Sequence, residues 1–354
     1  MSQILQNVDL APLTSFGVGG PAQAYLKLDS SAAFKRFLRV ADPPGFEWLL
    51  GSATNVLISD RGLDGTTWHF AGGRLAFDEA DGLLLADAGA VWDDLVVFAV
   101  ARGLWGVELM SGIPGTVGGA AAININAYGQ ALADVLAWVE VYDPLEKSCR
   151  RIAFDEADWG YKRSPFADGR QAVLSLALKL EKRPTTELRY GTALKYAADR
   201  GLDAGSLAER RQIILGVRAA AGSLLDSSES GSARTCGSFF KNPVIGREKI
   251  EAVIAHEETN LTAKELLAMN RLHGGSAGRV SAAHVLLAAG FKRGQRFGRV
   301  RLHPDHVLKV ENFASASAQE IYDTARLIQK TVKMRLDIDL EFEVKTMGVF
   351  DDQK

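Results

Sequence analysis

The stretch Ser111-Gly112-Ile113-Pro114-Gly115-Thr116-Val117-Gly118-Gly119 limits the possible folds more than any other part of the chain. Pro114 fixes its own φ, and the glycines around it remove side-chain bulk. Backbone of this kind makes a tight strand-loop-helix corner. It also serves to lay successive bare N–H groups against an acceptor-rich ligand, such as a pyrophosphate or the edge of a flavin ring. Asn124 and Asn126 follow, on one face if the chain is extended there, and Tyr128-Gly129 closes the segment. Glycine is in excess overall, with 35 in 354 residues, about 10% against a usual ~7%. It clusters in 17–20, 112–129 and 274–278.

A chain of 354 residues suits two or three domains. Lys plus Arg is 41 and Asp plus Glu is 43, for a formal charge of −2. Without a basic excess, nucleic-acid and anionic-membrane partners are disfavoured. Two cysteines, Cys149 and Cys236, cannot build a disulfide framework and fit a reducing compartment. Met1 to Phe16 lacks a basic n-region, and Asp87, Asp93 and Asp94 interrupt the most apolar region, Leu83 to Met110. The expectation is a soluble, cytoplasmic protein.

Strands are expected at Glu47–Leu50, ending in the turn Gly51-Ser52-Ala53-Thr54-Asn55, and at Leu83–Asp87, Leu136–Tyr142 and Ala172–Leu180. Trp92, Leu95, Val96, Ala99 and Val100 share one helical face within 91–102. The charged, alanine-rich stretch 181–230 has helical character near 206–221 and suggests a domain boundary between 185 and 232. Helices are expected at Lys264–Asn270 and Ala282–Ala289, and a strand at Val307–Glu311. Ser317 and Glu320 form a capping box. The stripe Ile321, Ala325, Ile328, Val332, Leu336 follows, then a strand with Ile338, Leu340, Phe342 and Val344 on one face and Asp339, Glu341 and Glu343 on the other. The pattern is α+β.

Several short patterns fall away. Gly17-Val18-Gly19-Gly20-Pro21-Ala22 has dinucleotide-loop spacing, but Thr14 and Ser15 precede it and Pro21 interrupts it. His303-Pro304-Asp305-His306 holds metal-ligand types, yet the proline breaks any helical face, so no metal is expected.

The glycine segment, with Asn124 and Ala127-Tyr128-Gly129, resembles the flavin-binding signature of the UDP-N-acetylenolpyruvoylglucosamine reductase family, within the vanillyl-alcohol-oxidase-like FAD superfamily. Leu50-Gly51-Ser52-Ala53-Thr54-Asn55-Val56-Leu57 resembles that family's first pyrophosphate loop. Gly237-Ser238-Phe239-Phe240-Lys241-Asn242-Pro243 matches its serine motif, and Leu340-Glu341-Phe342-Glu343-Val344 with Gly348 resembles its terminal glutamate motif. Tyr190-Gly191, after Arg183-Pro184, resembles the longer subtype with a tyrosine loop. The order holds from about Leu13 to Gly348.

This resemblance implies a vanillyl-alcohol-oxidase-like (PCMH-type) FAD-binding region over 1–215, with the tyrosine-loop insertion near 181–215, and an α+β substrate-binding domain over 216–354. NADPH would reduce a non-covalently held FAD, and hydride would pass to the enolpyruvyl double bond of UDP-N-acetylglucosamine enolpyruvate, giving the peptidoglycan precursor UDP-N-acetylmuramate. Gly51, Ser52, Ala53, Thr54, Asn55, Val56, Ser111, Gly112, Ile113, Pro114, Gly115, Gly118, Gly119, Asn124 and Tyr128 would hold the cofactor. Tyr161, Arg163, Tyr190, Lys241 and Asn242 would bind substrate. Ser238 would donate a proton. Glu343 would act beside the substrate carboxylate; Glu341 shares its strand face, and only the family pattern points to the second acid. The cation facing that carboxylate is Lys162, where the family has arginine, or Arg163 after a one-residue shift. The partner would be a small sugar nucleotide, with no nucleic acid or membrane, and the chain would act as a monomer. Other departures lie on the substrate side: Arg218 is followed by Ala219-Ala220-Ala221-Gly222 where a phosphate-binding lysine is usual, His306 stands for a glutamine, Asn126 for a glycine, and His284 or Val285 for a tryptophan. They leave open a diverged flavoenzyme acting on another enol ether or sugar nucleotide, or a flavin-binding protein without turnover.

Overall fold

Leu83–Asp87, Leu136–Asp143 and Ala172–Lys179 are strands of one five-stranded sheet, flanked by Ser148–Ala153 and Leu75–Asp78, every pairing antiparallel. In the middle strand, Leu174, Leu176, Ala177 and Leu178 are all fully buried, which is why it reads as an apolar run. The computed structural model describes residues 4–40, 45–221, 223–224, 234–256 and 278–352. They divide into two compact units, the first being Met1–Val8, Ala22–Ser52 and Asp64–Leu224, the second Asp9–Pro21, Ala53–Leu63 and Leu225–Lys354.

The first unit carries that sheet and a second one, ordered Ile4–Asp9, Pro21–Leu28, Leu63–Phe70, Trp48–Leu50, its last pair parallel. Aromatic rings fill its core: Trp68 lies 4.9 Å from Phe34 and 5.6 Å from Tyr142 between ring centroids. The amphipathic helix spans Trp92–Val100 and buries Trp92, Leu95, Val96 and Ala99, with Asp93 and Asp94 in its first turn. In the insertion, Ser206 caps a helix over Leu207–Ala220. A second helix, Gly191–Arg200, was not legible from periodicity; it packs where Gly216 leaves room, since a Cβ there would stand 2.0 Å from the Tyr196 ring.

The second unit pairs Val56–Ile58 in parallel with Lys345–Met347, and holds a three-stranded sheet of Arg296–Phe297, Val300–Leu302 and Val310–Asn312. The helix Ala318–Leu336 begins at the expected capping box: Ser317 Oγ accepts the Glu320 N–H at 3.2 Å, and the Glu320 carboxylate accepts the Ser317 N–H at 2.8 Å. Ile321, Ala325, Ile328 and Val332 are fully buried.

Three expectations need correction. Ile338–Glu341 alternates in burial as expected, but Phe342 and Glu343 are both half-buried, the segment meets only a single bridge, Phe240 to Phe342, and regular pairing starts at Lys345. The Val307–Glu311 strand begins only at Val310, because Lys309 N–H turns back to His306 O. A single cut at 215/216 does not describe the units, which part at 224/225, with two earlier segments joining the second. The helix expected at 264–270 lies outside the described residues. No helix among the described residues is long and apolar enough to cross a membrane.

Replacing Ile328 by Ala opens a cavity in the second unit's core and is expected to cost about 2–5 kcal/mol. Ser317→Ala is expected to cost about 1 kcal/mol through loss of the cap. Urea midpoints at constant slope measure both.

Candidate active site

In the first unit the glycine segment forms the expected corner. Thr116 caps the helix Val117–Ala122, its Oγ1 accepting Gly119 N–H at 3.2 Å. The first loop comes to the same place: a Cβ on Gly51 would stand 2.2 Å from Thr116 Oγ1, so the two glycine-bearing turns touch with no room for a side chain. Gly118 sits against Ala88 for the same reason. Ser111 is buried and bonded to Glu108 O at 2.6 Å. Gly112 has φ +69°, and its peptide groups are held from both ends: its N–H donates to Asp93 at 2.7 Å, and its C=O accepts from Arg218 at 3.2 Å. Burial works against ionisation of Asp93, but the bidentate Arg211 guanidinium and the Gly112 N–H hold its carboxyl below the usual range. The amides of Ser52, Ile113 and Gly115 have no acceptor among the described residues. Bare amides on two touching turns suit a diphosphate-bearing cofactor such as FAD.

The corner continues into a second cluster. Asn124, at φ +45°, donates from Nδ2 to Gly160 O at 2.8 Å and accepts Ala133 N–H at 3.1 Å; Ser164 Oγ donates to Ala122 O at 2.8 Å. These bonds dock the 160–163 turn on the end of the helix. Lys162 is half-buried at that turn's tip with φ +50°, a backbone state costing roughly 1–2 kcal/mol for a residue with a Cβ. Arg163 points elsewhere: its side chain is 60% exposed and tied to Asp158. Asn126 and Ala127 pair with Gln130 and Ala131 around Tyr128-Gly129, both at positive φ, as a two-residue hairpin turn of the primed type requires. The Tyr128 ring meets Tyr190 edge-on, 5.1 Å between centroids, and its hydroxyl is bonded to Arg218. Burial, then the neighbouring Tyr128 and Tyr161 hydroxyls, push Tyr190 up to about 12.

In the second unit, Asn55 donates from Nδ2 to Glu343 O at 3.1 Å and accepts Lys345 N–H through its own C=O at 3.1 Å. Glu343 N–H in turn donates to Phe239 O at 2.9 Å, next to Ser238. Ala53 takes φ +48°, Thr54 O accepts the Ser15 hydroxyl at 3.4 Å, and Val56 opens the strand paired to 345–347. Ser238 is half-buried, and its hydroxyl bonds to no described residue. The two glutamates separate clearly: Glu341 is 75% exposed and paired with Lys241 at 3.2 Å, whereas Glu343 is half-buried. Asn242 spends its Oδ1 on Ala282 N–H at 2.9 Å, at the start of the helix Ala282–Ala288. Cys236 contacts Ser15 Oγ at 3.2 Å and Val56 O at 3.4 Å, and burial pushes its thiol up to about 12.

A family model described as the C-terminal domain of UDP-N-acetylenolpyruvoylglucosamine reductase matches residues 228–347, and one described as an FAD binding domain matches 22–149. The UDP-N-acetylenolpyruvoylglucosamine reductase of Streptomyces coelicolor is 33% identical, over 98% of this chain and 91% of its own. That of Nocardia farcinica is also 33% identical, over 98% and 90%. The chain belongs to the UDP-N-acetylenolpyruvoylglucosamine reductase family. A crystal structure of the enzyme from Thermus caldophilus shares the fold, with a TM-score of 0.65 at 22% identity over 98% of this chain and 99% of that one.

Within this family member, sequence reasoning missed the Asp93–Gly112–Arg211 contact and the lysine at 309. Asp93 read as a first-turn acid, and nothing in its spacing pointed to Gly112. Lys309 did leave a signal, a lone charge in the apolar run Val307-Leu308-Lys309-Val310. His303 and His306 gather with Lys309, but among the described residues no three His, Cys, Asp or Glu side chains group as a metal site.

His306 supplies a pH prediction. Burial, then the charges of Lys309 and Arg293, lower it from 6.5 to about 4, and its Nδ1 accepts Leu308 N–H at 3.2 Å, so the neutral ring is the form that fits. A group with a depressed folded pKa contributes stability above its unfolded value and loses it on acidification. Stability is therefore expected to fall as pH drops from about 6.5 toward about 4, and His306→Gln is expected to flatten that part of the urea-midpoint profile.

Proposed function

We propose that this chain is an NADPH-dependent flavoprotein reductase that converts UDP-N-acetylglucosamine enolpyruvate to UDP-N-acetylmuramate, a step in peptidoglycan precursor synthesis. One observation carries the reading: Ser238, a hydroxyl left without a hydrogen bond to any described residue, stands in a motif whose backbone is paired to that of Glu343. FAD, held without a covalent bond, would supply the hydride chemistry between NADPH and the enolpyruvyl double bond.

The chain's own groups do the rest. Amides of Ser52, Ile113 and Gly115 bind the cofactor's diphosphate. Addition of hydride to one alkene carbon leaves carbanion character beside the substrate carboxylate, and Ser238 gives its hydroxyl proton to that carbon. Glu343 hydrogen-bonds at the carboxylate end and shapes the enolate. Lys162, held at the tip of its turn, faces the carboxylate as a point charge. Tyr190, with its pKa raised to about 12, stays a hydroxyl donor at neutral pH and reaches a phosphate oxygen. The reading extends to a monomeric, cytoplasmic protein whose partner is the sugar nucleotide.

The test is stepwise. NADPH is expected to bleach the bound flavin, and the enolpyruvyl sugar nucleotide to restore its colour; failure of the second step alone favours a diverged reductase acting on another enol ether. In Ser238→Ala, reduction by NADPH is expected to stay normal while substrate-driven reoxidation slows by about 10²-fold or more. Lys162→Ala is expected to lower kcat/KM by roughly 10–10²-fold, and Arg163→Ala to change it little, because its guanidinium is spent on Asp158.

A further inference from the structure

A buried ion pair fastens the 181–215 insertion to the rest of the first unit. Glu108 is fully buried and Arg210, in the first turns of the helix Leu207–Ala220, is 6% exposed. Arg210 Nη1 donates to one carboxylate oxygen of Glu108 at 3.2 Å, and the other oxygen accepts Gly106 N–H at 2.8 Å. The same guanidinium donates to two backbone carbonyls, through Nη1 to Thr186 O at 2.6 Å and through Nε to Ala204 O at 2.5 Å. It also stands 5.1 Å from the centre of the Trp105 ring, and Trp105 exchanges backbone hydrogen bonds with Glu181 at 2.7 and 3.1 Å. Glu108 leads directly into the glycine corner: its C=O accepts the Ser111 hydroxyl at 2.6 Å, one residue before Gly112. Every one of these residues belongs to the first unit.

Thr186 and Ala204 stand on either side of Tyr190 and of the helix Gly191–Arg200 that follows it. One guanidinium therefore holds both ends of the Tyr190 segment against the residue that opens the cofactor turn. We propose that Arg210 is a positioning residue for substrate binding, which fixes the place of Tyr190 through Thr186 and Ala204, with Glu108 as its counter-charge. The inference rests on the reading of Tyr190 as a donor to the phosphates of the sugar nucleotide. A buried ion pair adds little net stability over apolar side chains of the same volume. What it adds here is registry: apolar surfaces slide past one another, whereas a planar fork fits its acceptors in one arrangement. Tyr190 offers a phosphate a single O–H, so its contribution depends on where the ring is already held. Were the 186–204 segment loose, each binding event would first have to order it, and that cost would be taken from affinity.

The experiment separates position from folding in the holoenzyme, by reading KM and kcat apart. Arg210→Lys keeps a charge opposite Glu108 but lacks the fork that reaches both carbonyls. It is expected to raise KM for the enolpyruvyl sugar nucleotide about 10-fold, the scale of one fixed hydrogen bond, with kcat and the rate of flavin bleaching at saturating NADPH nearly unchanged. A merely structural loss would lower the active fraction, and so kcat, without moving KM. Tyr190→Phe is expected to raise KM to a similar extent. Combining it with Arg210→Lys is expected to add little, as a group acting through another requires. A raised KM in Tyr190→Phe with an unchanged KM in Arg210→Lys, or losses that add, overturns the inference and leaves the reading of Tyr190 standing. An unchanged KM in Tyr190→Phe overturns both.

Should Arg210→Lys not fold, the paired replacement Glu108→Gln with Arg210→Met decides. It leaves no buried charge alone, and the amide oxygen of glutamine still offers Gly106 N–H an acceptor. KM for the sugar nucleotide is again expected to rise about 10-fold, and hydrogen exchange of the amides in 187–203 to quicken while that of the five-stranded sheet stays as it was. An unaltered KM in this folded pair of substitutions overturns the proposal, whatever its urea midpoint.

Discussion

The peptide at Gly112 is the constraint on which the first unit's site depends. Its N–H is fixed by Asp93 at the start of one helix, and its C=O by Arg218 near the end of another. With both ends held and φ at +69°, the following residues have little freedom, and the amides of Ile113 and Gly115 are left without an acceptor among the described residues. Arg218 also bonds Tyr128, whose ring meets Tyr190 edge-on. One guanidinium thus links the cofactor turn to the tyrosine cluster. A lysine would not do this, since it lacks the planar fork that reaches two acceptors at fixed angles.

The second unit solves a different problem. Ser238 and Glu343 come from stretches about a hundred residues apart, and neither lies in a long strand. They are aligned by short edge pairings: Glu343 N–H to Phe239 O, Lys241 N–H to Glu341 O, and Phe239 N–H to Leu308 O. The segment holding Ser238 is thereby gripped from both sides, by 341–343 and by 308–309. Phe239 and Phe240, both buried among aromatic rings, anchor it. The serine is presented by a segment that cannot slide, while its own hydroxyl stays open.

Local signals were legible where they were dense. The bounds of Leu83–Asp87, the face of the Trp92–Val100 helix and the capping box at Ser317 follow from periodicity and cap chemistry alone. The terminal motif was half legible: alternation gave the burial of Ile338 to Glu341, but burial alternates in any extended chain over a core, with or without a neighbouring strand. Exposure at 341 and burial at 343 depend on Lys241 reaching Glu341 across a pairing that spacing cannot reveal. The choice between Lys162 and Arg163 turned likewise on a distant carboxylate, Asp158.

The parallel pairing of Val56–Ile58 with Lys345–Met347 joins two segments that lie far apart along the chain. During synthesis the early strand leaves the ribosome long before its partner exists, and its row of amides must wait unpaired until 345–347 has emerged. Non-local pairing of this sort closes slowly. The second unit therefore cannot mature on the ribosome in the order in which it is made. Completion depends on emergence of the 345–347 segment, and the waiting strand is where a chaperone would have most to protect.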